Sequence, residues 1–593
     1  MSRTPHLFVS CFVFIALSNL AATAQNLPLS NRVKTLSTVF SDYWEDLLKH
    51  NPEFASTIGD TRYNDQLSDF SVQAYNESLG RQRAFLTRLI EVDTAGMTDQ
   101  EQLSKEVLVR TLIENQQEAR FKPWEMPVNQ FYGLQVDLPQ LVPELTFHSV
   151  KDYDDYIARL KKVPLAFQQI TDDMAIGMDD HREPPAYLME KVLAQVNDIA
   201  SQKPEDGPFA VPVRKFPAAV SAPQQERIKQ EVLAAIAGQV TPAYVRFGKF
   251  LKSQYIPNGR SDPGLWALPD GEAYYLFRVK QSTTTELTPA QIHQIGLDQV
   301  EQDEEQLLAI AHKLGYPGIK ELESAAAANP KLLPTSKDQL LDAYRGYLDR
   351  MRPKLPQLFG RLPKAPLVVM PVPAYAEKDQ APAYYDPGTP DGSRPGTVYV
   401  NTYKFETRSL DDVESRAYHE GLPGHHLQIS IAQELTGVPE FRKYAQYTAF
   451  TEGWGLYAEQ LGKDIGFYQD PYSDLGRLEG DIWRAVRLVV DTGVHAQHWT
   501  RQQMIDYFHQ HTAVPEAEVQ AETDRYIAWP AQALGYKIGQ LKLLELRAKA
   551  QQALGDRFDL RAFHDQVIDS GALPLDLVEQ RIDSWIAQQK PQK

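Results

Sequence analysis

AYHEGLPGHHLQ, Ala417 to Gln428, sets a His-Glu pair at 419 and 420 ahead of a His-His pair at 425 and 426. In the common zinc-hydrolase helix, HExxH, two histidines at i and i+4 share one face and the Glu beside the first acts as general base. Here Pro423 stands at i+4. In an unbroken helix His425 would lie about 120° off the face of His419, and His426 would return to it only about 10 Å further along. Neither could share a zinc whose bonds are about 2.0–2.1 Å. Pro423 lacks an N–H and clashes with the preceding turn, and Gly424 accepts almost any backbone conformation, so the pair forces a bulge. If GLPGH loops out two residues and the helix resumes at His425, His425 takes the place of the second ligand. Glu420 is then the base, and His426, the alternative ligand, faces substrate.

A third ligand is expected from a following helix. FTEGWGLYAEQLG (450–462) supplies Glu452, with Glu459 seven residues later on the same face. Glu452 is read as the ligand, in a first turn capped by Thr451, with Gly453 and Gly455 allowing close packing against the metal helix. An acidic residue at a helix start is also favoured by the helix dipole alone. Further on, Arg487, Asp491 and His495 fall at i, i+4 and i+8, opposite Ile482, Val486, Val489 and Val490. That spacing fits a solvated polar face. It also fits function: Arg484 or Arg487 clamping a substrate carboxylate, Asp491 orienting a neighbour, His495 donating to a developing oxyanion. In RYIAWPAQALGYKIG (525–539), Tyr526 and Tyr536 are candidate phenol donors, although tyrosines on such helices more often fill a core.

Around this stretch the chain reads as mainly α. From about Val33 to Ile199, and again in EEQLLAI, apolar residues recur at helical spacing, as in VFSDYWEDLLKH. Thr288 followed by Pro289 predicts a capped helix start. Between about 365 and 403, APLVVMPVPAYA and GTVYVNTY predict two short strands joined by a Pro/Gly/Asp-rich loop, either a plain hairpin or an edge on which an extended peptide can lie. Pro/Gly clusters near 257–285 place a boundary, giving a leader at 1–24, an N-terminal helical lobe at 25–280 and a C-terminal catalytic lobe at 281–593 with the small sheet.

The 593 residues are 42% hydrophobic and 23% charged, with a formal net charge of -17. Without a Lys/Arg block, the composition argues for an ordinary globular chain and against nucleic-acid partners. The apolar run from Leu7 to Leu17 and the small residues Ala22, Thr23 and Ala24 predict a secretory signal cleaved before Gln25. The run is too short for a membrane span, and it continues past Cys11, which therefore fits a lipid anchor poorly. Losing Arg3 with the leader takes Lys+Arg from 61 to 60 against 78 acids, a mature net charge of -18. Cys11 is the single cysteine, so the mature chain has no disulfide, and a metal site must use His, Asp and Glu.

HEGLPGHHLQ followed by TEGWGLYAEQL, DTGVHAQHW and RYIAWPAQALGYKIG resembles the bacterial domain of unknown function 885 family, whose hallmark is HExxPGHH with an EGW segment. Weaker similarity runs upstream through YLFRVKQSTTTELTPAQIHQIG to NPEFASTIGD. The resemblance implies a large helical fold with a small sheet, two-lobed and similar to helical zinc carboxypeptidases and other gluzincin-type peptidases, in which His419, His425 and Glu452 bind one Zn2+ and Glu420 is the base. The expectation is a periplasmic or secreted zinc metallopeptidase for short peptides, with His426, His495 or a tyrosine stabilising the oxyanion. A zinc hydrolase of a non-peptide amide or ester, or a non-catalytic peptide-binding protein with a structural metal, are the alternatives.

Overall fold

The computed structural model describes residues 27–589 except 374–376, 378–380, 390–391 and 393. The expected leader lies outside them. Helices dominate from Leu29–His50 through Val72–Ile90, Asp99–Glu118 and Val163–Asp179 to Leu575–Gln589. The helical spacing of the N-terminal sequence is visible in Leu29–His50, where Leu36, Val39, Phe40 and Leu48 form the buried stripe. Pro289–Lys313 starts as expected: Thr288 accepts from the Gln291 N–H, and the Gln291 side chain accepts from the Thr288 N–H.

Three strands, β1 (Leu367–Pro371), β2 (Ala383–Asp386) and β3 (Gly396–Val400), form one sheet in the order β1-β3-β2. β1 and β3 are parallel, from Leu367 opposite Gly396 to Pro371 opposite Val400, and β2 runs antiparallel on the other side of β3. A two-strand hairpin is therefore corrected. The segment between the two expected strands contributes β2, AYYD, which its Pro/Gly/Asp-rich flanks obscured. Central β3 is buried at four of its five residues, as a strand covered on both faces should be.

The helices that surround the candidate site are α1 (Val413–Glu420), α2 (His425–Gln433), α3 (Thr448–Asp464), α4 (Pro471–Ala496), α5 (Glu516–Ala528) and α6 (Leu534–Leu554). Two large apolar clusters meet there. One contains Val413, Ala417, Leu427, Phe450, Trp454 and Leu461 from α1 to α3, and the other contains Leu475, Ile482, Val486 and Val490 from α4. Both clusters draw on residues before and after position 280, so the packing itself draws no boundary at that residue. α3 and α6 are in backbone contact. A Cβ on Gly453 would sit 2.5 Å from the Gly539 Cα, and one on Gly539 would sit 1.8 Å from the Ala449 carbonyl oxygen. Of this pair, Gly453 thus serves α6 and Gly455 serves the His419 helix.

Because backbone blocks that space, Gly539→Ala must separate α3 from α6. It should cost about 1–3 kcal/mol, the range for overpacking a filled interior, read as a lower urea midpoint with an unchanged slope.

Candidate metal centre

α1 ends at Glu420 and α2 begins at His425. Between them the Leu422–Pro423 peptide is cis, and the Gly421 and Gly424 backbones sit at φ/ψ of -105/-109° and -78/-126°. His426 N–H reaches back to the Gly421 carbonyl, so α2 restarts across the gap without losing its first bond. Close approach is what requires glycine at 424: a Cβ there would lie 1.9 Å from the His419 carbonyl oxygen and 2.3 Å from that of Tyr418. The Trp454 indole N–H donates to the Pro423 carbonyl at 2.9 Å, tying the loop to α3.

This loop turns His425, rather than His426, toward His419. The two imidazoles lie with ring centroids 4.6 Å apart at 86°. Glu452 Oε2 stands 3.4 Å from His419 Nε2 and 3.5 Å from His425 Nε2. Ligands about 2.0–2.1 Å from one tetrahedral zinc are about 3.3–3.4 Å apart, so these separations suit a shared ion. His419, Glu420 and His425 also offer ligand atoms within 4.8 Å of one another. Yet Glu420 Oε2 is 4.0 Å from His425 Nε2, further than Glu452, and fits better as the group beside the ion than as a ligand. Glu420 and Glu452 side chains keep 17% and 21% exposure, so water can reach both.

His419 is held from behind. Its Nδ1–H donates to Glu459 Oε1 at 2.7 Å, which leaves Nε2 as the ring nitrogen facing Glu452 and His425. That is the carboxylate–imidazole pairing which orients metal-binding histidines. The sequence marks Glu459 only by its spacing from Glu452, seven residues on one helix face. Gly455 makes room: its Cβ would fall 2.6–2.9 Å from the His419 ring atoms. Burial pulls the His419 pKa down, but hydrogen bonds to Glu452 and Glu459 outweigh it and hold the imidazole up to about 10. Burial raises Glu452, and the nearby His425 and His419 overcome this, leaving its carboxyl well below the usual range. His425 Nδ1 is buried and has no hydrogen-bond partner among the described residues. Glu452 itself lies in the second turn of α3, which starts at Thr448 after Tyr447, so Thr451 is not its cap and the helix-start explanation for an acid loses force.

His426 points elsewhere. Its Nδ1 lies 3.0 Å from the Tyr385 hydroxyl on β2 and 3.3 Å from that of Ser430, and burial pulls its pKa down to about 4. The sheet touches this histidine at Gly396, whose Cβ would lie 2.7 Å from His426 Nδ1. The ring belongs to the sheet contact, not to the group around His419.

The polar stripe on α4 is buried, not solvated, and most of it is committed to other partners. His495 accepts from the Leu265 N–H at Nδ1 and donates from Nε2 to the Tyr526 carbonyl, and burial pulls its pKa down to about 3. No N–H is left for an oxyanion, which corrects that expectation. Asp491 accepts from the Tyr275 hydroxyl and the Ala531 N–H, so it positions the segment after α5 and no metal ligand; burial raises it to about 7. The Tyr526 hydroxyl donates to Glu522 at 2.5 Å while accepting from Trp483 Nε1 and Arg487 Nε. Arg487 also pairs with Glu522 and lies 4.5 Å over the Tyr536 ring. Tyr536 is the tyrosine left near the centre: half-buried, its pKa is raised first by burial and then by the Glu452 charge. Arg484 makes no ion pair among the described residues.

Two cavities of about 300 and 390 Å3 share Arg278 and Trp529 in their walls. Thr448, one turn before Glu452 on α3, and Gln532 line the larger one with Tyr43, Trp44 and Tyr444. None of His419, Glu420, His425 or Glu452 lines either.

Fold and site together define a mainly helical protein whose buried His/Glu centre has the donors and spacing for one ion. A family model described as bacterial protein of unknown function (DUF885) matches residues 52–582, and the chain belongs to that family. Among solved structures, the chain is similar to "the putative lipoprotein from Colwellia psychrerythraea", with 29% identity over 94% of this chain and 100% of that one and a TM-score of 0.90. A "putative lipoprotein of unknown function" from Shewanella oneidensis shares the fold, with 17% identity, 92% and 98% coverage and a TM-score of 0.70. No curated protein matches the chain. No helix among the described residues is long and apolar enough to cross a membrane.

If one ion bridges these donors, His425→Ala should lower retained zinc at least tenfold in elemental analysis, while His426→Ala should keep nearly one zinc per chain. The metal-free site makes a second prediction. With its pKa raised from 6.5 to about 10, His419 is protonated through that window in the folded protein. Zinc must displace this proton. Uptake at about pH 7.5 should therefore release close to one proton, visible as a buffer-dependent calorimetric enthalpy, and affinity should rise with pH between those limits.

Proposed function

We propose that the protein is an exported, zinc-dependent peptidase acting on short peptides, with an organisation like that of the helical zinc carboxypeptidases. The observation that carries this reading is the pair of 3.4 and 3.5 Å separations joining Glu452 Oε2 to the two Nε2 atoms, with the carboxylate of Glu420 alongside. Zinc bound there supplies Lewis acidity, polarising a carbonyl and lowering the pKa of a water toward about 7. His419, His425 and Glu452 would hold the ion, and Glu459 fixes the ring of His419. Glu420, outside that trio and partly exposed, accepts a proton from the attacking water and passes it to the leaving amine. Tyr536, beside Glu452, is the phenol assigned to the developing oxyanion. A structural metal closes its coordination shell and needs no accessible carboxylate next to it, which favours catalysis over a scaffold role. Export is supported by the description of the similar Colwellia protein as a putative lipoprotein, together with the apolar leader.

Digestion of a mixed peptide library, with and without chelator, tests the activity: chelator-sensitive cleavage is expected. Cleavage of esters or non-peptide amides alone would move the reading to a different hydrolase. Glu420→Gln should keep its zinc yet lose about 10²–10⁴-fold in kcat, the usual weight of general acid–base catalysis; unchanged turnover rules Glu420 out as base.

A further inference from the structure

Of the three arginines on α4, Arg477 and Arg487 each pair with a carboxylate and Arg484 does not among the described residues. Arg416 pairs with Asp412 at 2.6 Å, Arg477 with Asp474 at 3.0 Å, and Arg487 and Arg525 both with Glu522 at 3.1 and 2.9 Å. Arg484, in the midst of them, is half-buried and has no acid within ion-pair distance among the described residues. Its Nη1 donates to the Gly480 carbonyl of its own helix at 3.0 Å, and its Nε is buried with no acceptor. A guanidinium removed from water without a counter-charge is costly, and burial accordingly lowers its pKa.

The place of this orphan matters. The point where a Cβ of Gly480 would sit lies 3.1 Å from Arg484 Nη1 and 3.9 Å from Glu459 Oε2. Glu459 is the carboxylate that holds His419 Nδ1, so one acidic side chain separates Arg484 from the candidate metal ligands. The Glu459 charge partly offsets the burial of Arg484, but no Glu459–Arg484 ion pair forms and Glu459 Oε1 is taken by His419. Arg487, the other candidate clamp, also has a buried Nη1 without a partner, but its charge already meets Glu522 and its Nε donates to the Tyr526 hydroxyl. An oxyanion entering beside the metal centre would meet a planar donor fork with an unused donor, the arrangement that suits a carboxylate best.

We propose that Arg484 binds a free carboxylate of the substrate and thereby sets its specificity. This rests on the peptidase reading for the identity of the substrate. The carboxylate can come from the peptide C-terminus, making the protein a carboxypeptidase, or from an acidic side chain, making it selective for Asp or Glu.

Equilibrium binding separates this from catalysis. In zinc-loaded Glu420→Gln protein, where turnover is suppressed, acetyl-Ala-Ala-Ala is titrated as the free acid and as the C-terminal amide, and a C-amidated peptide is titrated with an internal Glu or Gln. One of the two pairs should show about 10–100-fold tighter binding of the charged member, the range for a charge-assisted pair. The first pair assigns the C-terminus and the second the side chain. Adding Arg484→Met should cut that preference below about threefold, and Arg484→Lys should leave part of it. No preference in either pair overturns the proposal, and this comparison needs no substitution at 484. A preference undiminished in Arg484→Met also overturns it, since the carboxylate would then be held by the metal or another residue. Hydrolysis by the unsubstituted protein is read separately: a chain that discriminates the acids but cleaves no peptide loses the peptidase reading and keeps the carboxylate site.

Discussion

At Gly424 the carbonyl oxygens of His419 and Tyr418 occupy the space a side chain would need. This contact folds the α1–α2 junction so tightly that His425 comes round to His419. The consequences follow in order. The loop carbonyl at Pro423 is exposed to α3, where the Trp454 indole satisfies it. Trp454 fixes the rotation of α3, and that rotation aims Glu452 at both imidazoles and Glu459 at the back of one of them. Gly455 allows the approach. A helix continuing through residue 424 would instead keep His425 about 120° away from His419 and leave two buried acids without their partners.

The grouping of charges shows what the site asks for. Glu452 draws on both imidazoles and Glu459 on His419, and together these acids hold a proton on His419 against the pull of burial. A divalent cation bound by the same donors would have to displace that proton, which would couple metal uptake to proton release. A short distance away the opposite arrangement holds. Arg487, Arg525, Glu522 and Tyr526 form a network of two guanidiniums around one carboxylate and a phenol, which ties α4 to α5 and leaves the buried Arg487 Nη1 without a hydrogen-bond partner among the described residues. Arg484 feels the charges of Glu459 and Arg487 but forms an ion pair with neither region among the described residues.

Much of this was legible in the residues and some was not. The helical class, the Thr288 cap and the return of a helix at His425 follow from local rules, since Pro and Gly act on the backbone within a turn. The spacing of Glu452 also pointed to its place beside the two imidazoles, although it lies a turn deeper in its helix than a Thr451 cap would put it. What escaped were properties fixed by distant contacts. Strand β2 exists because β3 offers it an edge, against the advice of its own Pro/Gly neighbours. His495 and Asp491 carry the residue types of a catalytic stripe, but Leu265, Tyr275 and Ala531, far away in sequence, claim their polar atoms. Periodicity marks a face and cannot say whether water, substrate or backbone covers it. Glu459 stood on the right face throughout, and only the position of His419 Nδ1 reveals its part.

The claim on which the account stands is that His425, with His419 and Glu452, holds one zinc ion. Anomalous diffraction from crystals of the zinc-loaded protein, recorded on both sides of the zinc absorption edge, tests it directly. The account predicts a single strong peak about 2.0–2.2 Å from His419 Nε2, His425 Nε2 and a Glu452 carboxylate oxygen, with Glu420 outside the bonding distance. A peak bonded to His426, or none at His419, would contradict it.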